Sequence, residues 1–117
     1  MKENKLLTLS QNFSVEIISL ANEMRNKKEY SLSDQIKRSA TSISANIAEG
    51  NHPQSRLDMI SKFEIALKEA SETENWLVIL KNSNLIETNK AEDLIKKVIK
   101  IKILLISSIK TLKNKSN

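Results

Sequence analysis

The sequence predicts an all-α fold, an antiparallel up-and-down four-helix bundle, and three observations carry that reading. The chain of 117 residues holds one glycine and one proline, a scarcity that long uninterrupted helices need and that a turn-rich sheet would not show. Apolar residues recur at helical spacing in four successive segments. Short polar breaks separate the segments, so neighbours run antiparallel. The length suits a single domain, residues 1–117, able to bury about two-thirds of its unfolded surface.

The first helix is predicted over residues 4–26, where Leu6, Phe13, Ile17, Leu20 and Met24 share a face. The charged run "RNKKEYS" ends it. The second is predicted over 31–49, with Ser31 or Ser33 as N-cap and a core face of Leu32, Ile36, Ala40, Ile43 and Ile47. Gly50 then takes the place of a C′ glycine, with Pro53 soon after. The third spans 55–83, capped by Ser55 with Asp58 three residues on. It shows two stripes, one of Ile60, Phe63, Leu67, Ala70, Glu74 and Leu77, the other of Ile65, Glu69, Glu72, Trp76 and Ile79. The fourth spans 89–114, with Asn89 and Glu92 as a capping box. Its stretch "VIKIKILLI" is β-branched and partly alternating, which suits a strand, but Leu94, Val98, Ile101, Leu105, Ile109 and Leu112 keep a helical step and no second strand exists to pair with. Ile99, Ile103 and Ile106 add a further stripe there. A wide core face would explain it; a subunit interface explains it better, because monomers rarely leave a large apolar patch in water.

The composition excludes many functions. Without cysteine there is no disulfide, thiol or zinc-thiolate chemistry. One glycine cannot build a P-loop, a dinucleotide fingerprint or a nucleophile elbow. The single histidine, His52, reads as a surface loop residue, because a triad with Ser55 and Asp58 needs geometry from separated elements. Glu69 and Glu72 lie three apart on one face and could hold a hard cation, although ion pairing with a basic side chain is the simpler expectation. We expect no metal, no cofactor and no catalytic residue. The opening "MKENKLLTLSQNF" is too polar for a signal peptide, and "ILLISSI" is far short of the roughly 20 residues of a membrane span. The expectation is a cytoplasmic protein without a membrane partner.

Charge is the remaining signal. The net charge is +5, and from Leu94 onward there are seven lysines and no acid, whereas Leu57 to Asp93 holds eight acids against four bases. Such asymmetry fits nucleic-acid contact or like-to-unlike self-association. Candidate phosphate contacts are Lys96, Lys97, Lys100, Lys110 and Lys113 in the fourth helix and Arg25, Lys27 and Lys28 at the end of the first. A solvated face is the plain alternative.

The runs "QIKRSATSISANIAEG" (35–50) and "FEIALKEASETENWLVIL" (63–80) resemble the family of 23S rRNA-intervening-sequence proteins. The likeness is carried by Gln35, Arg38, Ser42, Ile43, Asn46, Ile47, Ala48, Glu49 and Gly50, then by Lys68, Glu69, Glu72, Thr73, Trp76 and Leu77. It implies a four-helix bundle that assembles into a homopentameric ring. The fold is also similar to the accessory variability-determinant protein of diversity-generating retroelements, which implies RNA or a reverse-transcriptase-like or other nucleic-acid-processing protein as partner. No enzymatic activity comes with the family. The leading expectation is a non-enzymatic homo-oligomer that associates with nucleic acid, and the rival is a protein-interaction scaffold that does not. Within the signature, Ser39, Ala40, Ser42, Ser44, Ala45 and Ala48 should let helices approach closely, and Asn46 should be at least half-buried and bonded to Glu72 or Glu74.

Overall fold

The computed structural model describes residues 2–115, with side chains from residue 5 onward. Four helices follow one another: α1 (Lys2–Asn26), α2 (Tyr30–Gly50), α3 (Arg56–Asn82) and α4 (Thr88–Asn114). Ion pairs and hydrogen bonds fix their directions. Ser33 meets Ala21 while Ser14 meets Ala40; Ser39 meets Thr73 while Glu49 meets Lys62; Lys81 meets Glu92 while Glu64 meets Lys113; Glu23 meets Lys90 while Glu16 meets Lys97. In every pair one number rises as the other falls, so all four neighbouring pairs are antiparallel and α1 closes the bundle against α4. The rod measures 52 × 21 × 19 Å. Three seams are dense, and α1–α4 is much the loosest. No helix among the described residues is long and apolar enough to cross a membrane.

The core follows the predicted stripes. Leu6, Phe13, Ile17, Leu20 and Met24 of α1, Ile36, Ala40, Ile43 and Ile47 of α2, and Leu94, Val98, Ile101, Leu105, Ile109 and Leu112 of α4 are all buried; Leu32 is partly so. The stretch expected to be ambiguous, Val98 to Ile106, is helical throughout. In α3 the buried face is Ile60, Phe63, Ala66, Ala70, Thr73, Leu77 and Leu80. Leu67 and Glu74, expected on that face, sit half-buried at its edge, where Glu74 pairs with Lys102 at 2.9 Å. Small Ala66 and Thr73 take their place because α2 approaches closely on that side.

The helix ends differ from expectation in three places. First, α2 begins at Tyr30, and neither Ser31 nor Ser33 caps it. The preceding turn is a Schellman motif, in which Glu29 N–H donates to Met24 C=O at 2.9 Å and Lys28 N–H to Arg25 C=O at 2.9 Å. That turn delivers the chain straight into the next helix and frees Ser33, whose buried hydroxyl donates to Ala21 C=O at 2.8 Å. Second, Glu87 occupies the N-cap of α4 without a side-chain bond, and Asn89 lies inside the helix. Ile86 and Ala91, which bracket that cap, are both buried, so apolar burial sets the entry; Glu92 turns to Lys81 instead. Third, Gly50 is the last residue of α2 and has no positive φ. The left-handed positions fall to Lys28 (φ 66°) and to Asn84 (φ 60°), which ends α3 in a second Schellman turn. The Ser55 cap is formed as expected: its hydroxyl accepts from Asp58 N–H at 3.0 Å.

Gly50 is needed for space. A Cβ there would stand 2.6 Å from Phe63 Cε1 and 2.8 Å from Cδ1. The buried Phe63 ring therefore packs directly over the end of α2.

Candidate nucleic-acid interface and the signature face

The basic candidates do not form one cluster. Arg25, Lys27 and Lys28 stand at one end of the bundle, around the α1–α2 turn. Arg25 pairs with Asp34 at 3.1 Å and lies over the Tyr30 ring, 5.0 Å from its centroid. Lys27 donates to Leu85 C=O at 3.2 Å, tying the two turns at that end together. On α4, Lys97 bridges to Glu16 at 2.8 Å and Asp93 at 3.2 Å, and Lys113 pairs with Glu64 at 3.0 Å. The hydrogen bonds to Glu16 and Asp93 hold the Lys97 ammonium above the ordinary lysine range. Lys96, Lys100 and Lys110 are exposed and make no ion pair among the described residues. They run along the outward side of α4 over about 20 Å. The six lysines of α4 from Leu94 onward thus divide by pairing state: Lys97, Lys102 and Lys113 staple α4 to α1 and α3, while Lys96, Lys100 and Lys110 face solvent. Only the Asp93–Lys97 pair, four residues apart, lay within reach of the sequence; the other partner acids lie 28 to 81 residues away.

The signature residues gather on the α2–α3 face. Ile43, Ile47 and Gly50 point inward; Gln35, Arg38 and Glu49 are exposed, and Ser42 and Asn46 are half-buried. The Arg38 guanidinium sits between two carboxylates, with Glu69 at 3.2 Å and Glu72 in direct contact. Glu72 also accepts from Trp76 Nε1 at 3.1 Å. The Glu69–Glu72 pair is therefore occupied by a guanidinium, and among the described residues no three acids or histidines converge as metal ligands. Asn46 is half-buried, as expected, but its amide donates to Ser42 C=O at 2.8 Å and to neither Glu72 nor Glu74. Arg38 has taken Glu72 and Lys102 has taken Glu74, so a bond within its own turn remains for Asn46. Of the small residues, Ser39 and Ala40 are buried at the seams, whereas Ala45 is exposed. Ser39 accepts from Thr73 Oγ1 at 2.8 Å inside the α2–α3 seam.

His52 is exposed in the α2–α3 connection and borders an open depression of about 520 Å³ with Ala48, Glu49, Gln54, Asp58 and Lys62. Ser55 and Asp58 are engaged in capping, the Asp58 carboxylate accepting from Gln54 N–H at 3.2 Å, so no nucleophile–base pair forms there. A second groove, about 320 Å³, lies in the α1–α4 seam above Phe13 and Ile101, rimmed by Leu9, Asn12, Glu16, Lys97 and Lys100.

Helix order and antiparallel seams define an all-α, up-and-down four-helix bundle. Residues 2–107 match the family of 23S rRNA-intervening sequence proteins, and the chain belongs to that family. It is similar to a crystal structure of a protein with unknown function from the S23 ribosomal protein family of Bacteroides thetaiotaomicron VPI-5482, with a TM-score of 0.90 and 43% identity over 94% of this chain and 99% of that one. No functionally curated protein matches.

Proposed function

We propose that this chain is a non-enzymatic, homo-oligomeric bundle that associates with RNA, alone or together with a nucleic-acid-processing protein such as a reverse transcriptase. The observation that carries the reading is the outward row of Lys96, Lys100 and Lys110, exposed and without ion-pair partners. Ammonium groups of this kind bind phosphate as point charges, with salt-sensitive and sequence-blind affinity, and a homo-oligomer repeats the row. The test is filter binding of a structured RNA across a salt series. Charge reversal at Lys96 and Lys100 should abolish retention, and each lysine removed should lower the log–log salt slope by about 1. Absence of binding even at low salt overturns the reading.

One observation favours the rival scaffold. Lys97, Lys102 and Lys113 are neutralised by Glu16, Glu74 and Glu64 of the same chain, which removes much of the helix's basic excess. Under that reading, reversal at Lys96 and Lys100 alters the size of the assembly and leaves no RNA binding to lose.

A further inference from the structure

The groove in the α1–α4 seam differs in kind from the open depression around His52. That depression is lined by polar side chains except for Ala48, whereas the groove has a floor of Phe13 and Ile101, both buried. Half-buried Leu9 marks one end of it, and the Glu16–Lys97 bridge closes the other. From Leu9 to Glu16 the groove follows α1 for about 10 Å, the length of an extended octanoate. Its volume of about 320 Å³ falls at the lower edge of small-molecule sites, which span about 300–1,000 Å³.

The rim is unevenly satisfied. Glu16 is held by Lys97, which also meets Asp93. Asn12 and Lys100 are exposed, and neither has a hydrogen-bond or ion-pair partner among the described residues. An amide and an ammonium thus stand over an apolar floor without an acceptor. Beyond the bridge the seam continues as a smaller depression of about 180 Å³, where Glu16 and Asp93 meet Lys90, an ammonium already held by Glu23. An anion is therefore favoured on the Lys100 side of the bridge and disfavoured past it.

We propose that this groove binds a small amphiphile with an unbranched apolar chain and a single carboxylate. The chain covers Phe13, Ile101 and Leu9, and the carboxylate accepts from Lys100 Nζ and Asn12 Nδ2. Charge selects one carboxylate: Lys100 supplies one unmatched positive charge, and Glu16 opposes a second negative one. The site does not depend on association with RNA. Because Lys100 also belongs to the exposed lysine row, a bound carboxylate withdraws one phosphate contact from that row.

Calorimetric titration with octanoate, hexanoate and 1-octanol tests the site, and hydrogen exchange locates it. Octanoate should bind about tenfold more tightly than 1-octanol, because only the carboxylate forms a charge-assisted bond. It should exceed hexanoate by about two- to fourfold for each added methylene. Amide exchange should slow in residues 9–16 and 97–101. Lys100→Gln, at an exposed position, should lower octanoate to the affinity of 1-octanol and leave 1-octanol and the helicity unchanged. Absence of octanoate binding at millimolar concentration, protection confined to other segments, or equal affinity for octanoate and 1-octanol overturns the proposal. So does an unaltered octanoate affinity in Lys100→Gln.

Discussion

The α2–α3 and α1–α4 seams join antiparallel helices of similar length, yet they are built from opposite materials. Between α2 and α3 the side chains are short: Gly50 beneath Phe63, and Ser39 bonded to Thr73. Between α1 and α4 the links are long: Lys90 to Glu23 and Lys97 to Glu16, over a groove of about 320 Å³. Short side chains bring backbones together and tolerate no added atom, because packed interiors respond to a single methylene. Long charged side chains span a gap and can re-form elsewhere, so they contribute little each. Two seams of one bundle should therefore respond to mutation on different scales.

The largest effect is expected at Gly50→Ala. A methyl at 2.6 Å from the Phe63 ring overpacks the seam and should cost about 1–3 kcal/mol, more than the gain of up to ~1 kcal/mol in helix propensity. Denaturant unfolding measures it, and Phe63→Leu in the Gly50→Ala background should recover part of the loss if the clash is the cause. Next comes Thr73→Val, which removes the donor to Ser39 and should cost about 1 kcal/mol, because Ser39 still has the Ile36 carbonyl at 3.3 Å. Lys28→Gly works in the other direction. The chain's one glycine is committed to packing, leaving a lysine at φ 66°, and glycine there should add about 1 kcal/mol of stability. A midpoint unchanged in denaturant would show that the turn carries no strain.

The smallest effect belongs to the loose seam. Lys97→Met should change stability by no more than about 0.5 kcal/mol near neutral pH. The pH dependence has a definite sign. A lysine held above its ordinary value stabilises the fold below the unfolded pKa of about 10.4, and the contribution disappears as pH rises through the folded value. The gap between Lys97→Met and the unaltered chain should therefore be constant from neutral pH to about pH 10 and close above it. A gap that widens in alkali contradicts the assignment.

Element type and core membership were legible because burial imposes a period, and the stripes of α1, α2 and α4 could be read directly. What escaped the sequence was choice of partner. Ser33 looks like a cap, and only the distance to Ala21 shows that it bonds across a seam. Gly50 looks like a turn residue, and only the place of Phe63, thirteen residues on, shows why no side chain fits. The lysines look alike until the carboxylates of α1 and α3 are set beside them. Spacing put Glu69, Glu72 and Trp76 on one stripe and led to the expectation of an ion pair for the two acids; that the cation is Arg38 was out of reach, because spacing along α3 says nothing of which side chain of α2 stands opposite.

The loose α1–α4 seam has a consequence for the order in which the protein opens. Its two flanking helices are the first and last, so parting them breaks no loop and disturbs neither α1–α2 nor α3–α4. Amides along the inner hairpin of α2 and α3 should exchange with solvent slowest, and those facing the outer seam should exchange through a lower-energy opening. An opened chain is a pair of hairpins joined at the α2–α3 connection. Two such chains can trade α1 across the same seam, so domain exchange at high concentration is the failure this topology invites.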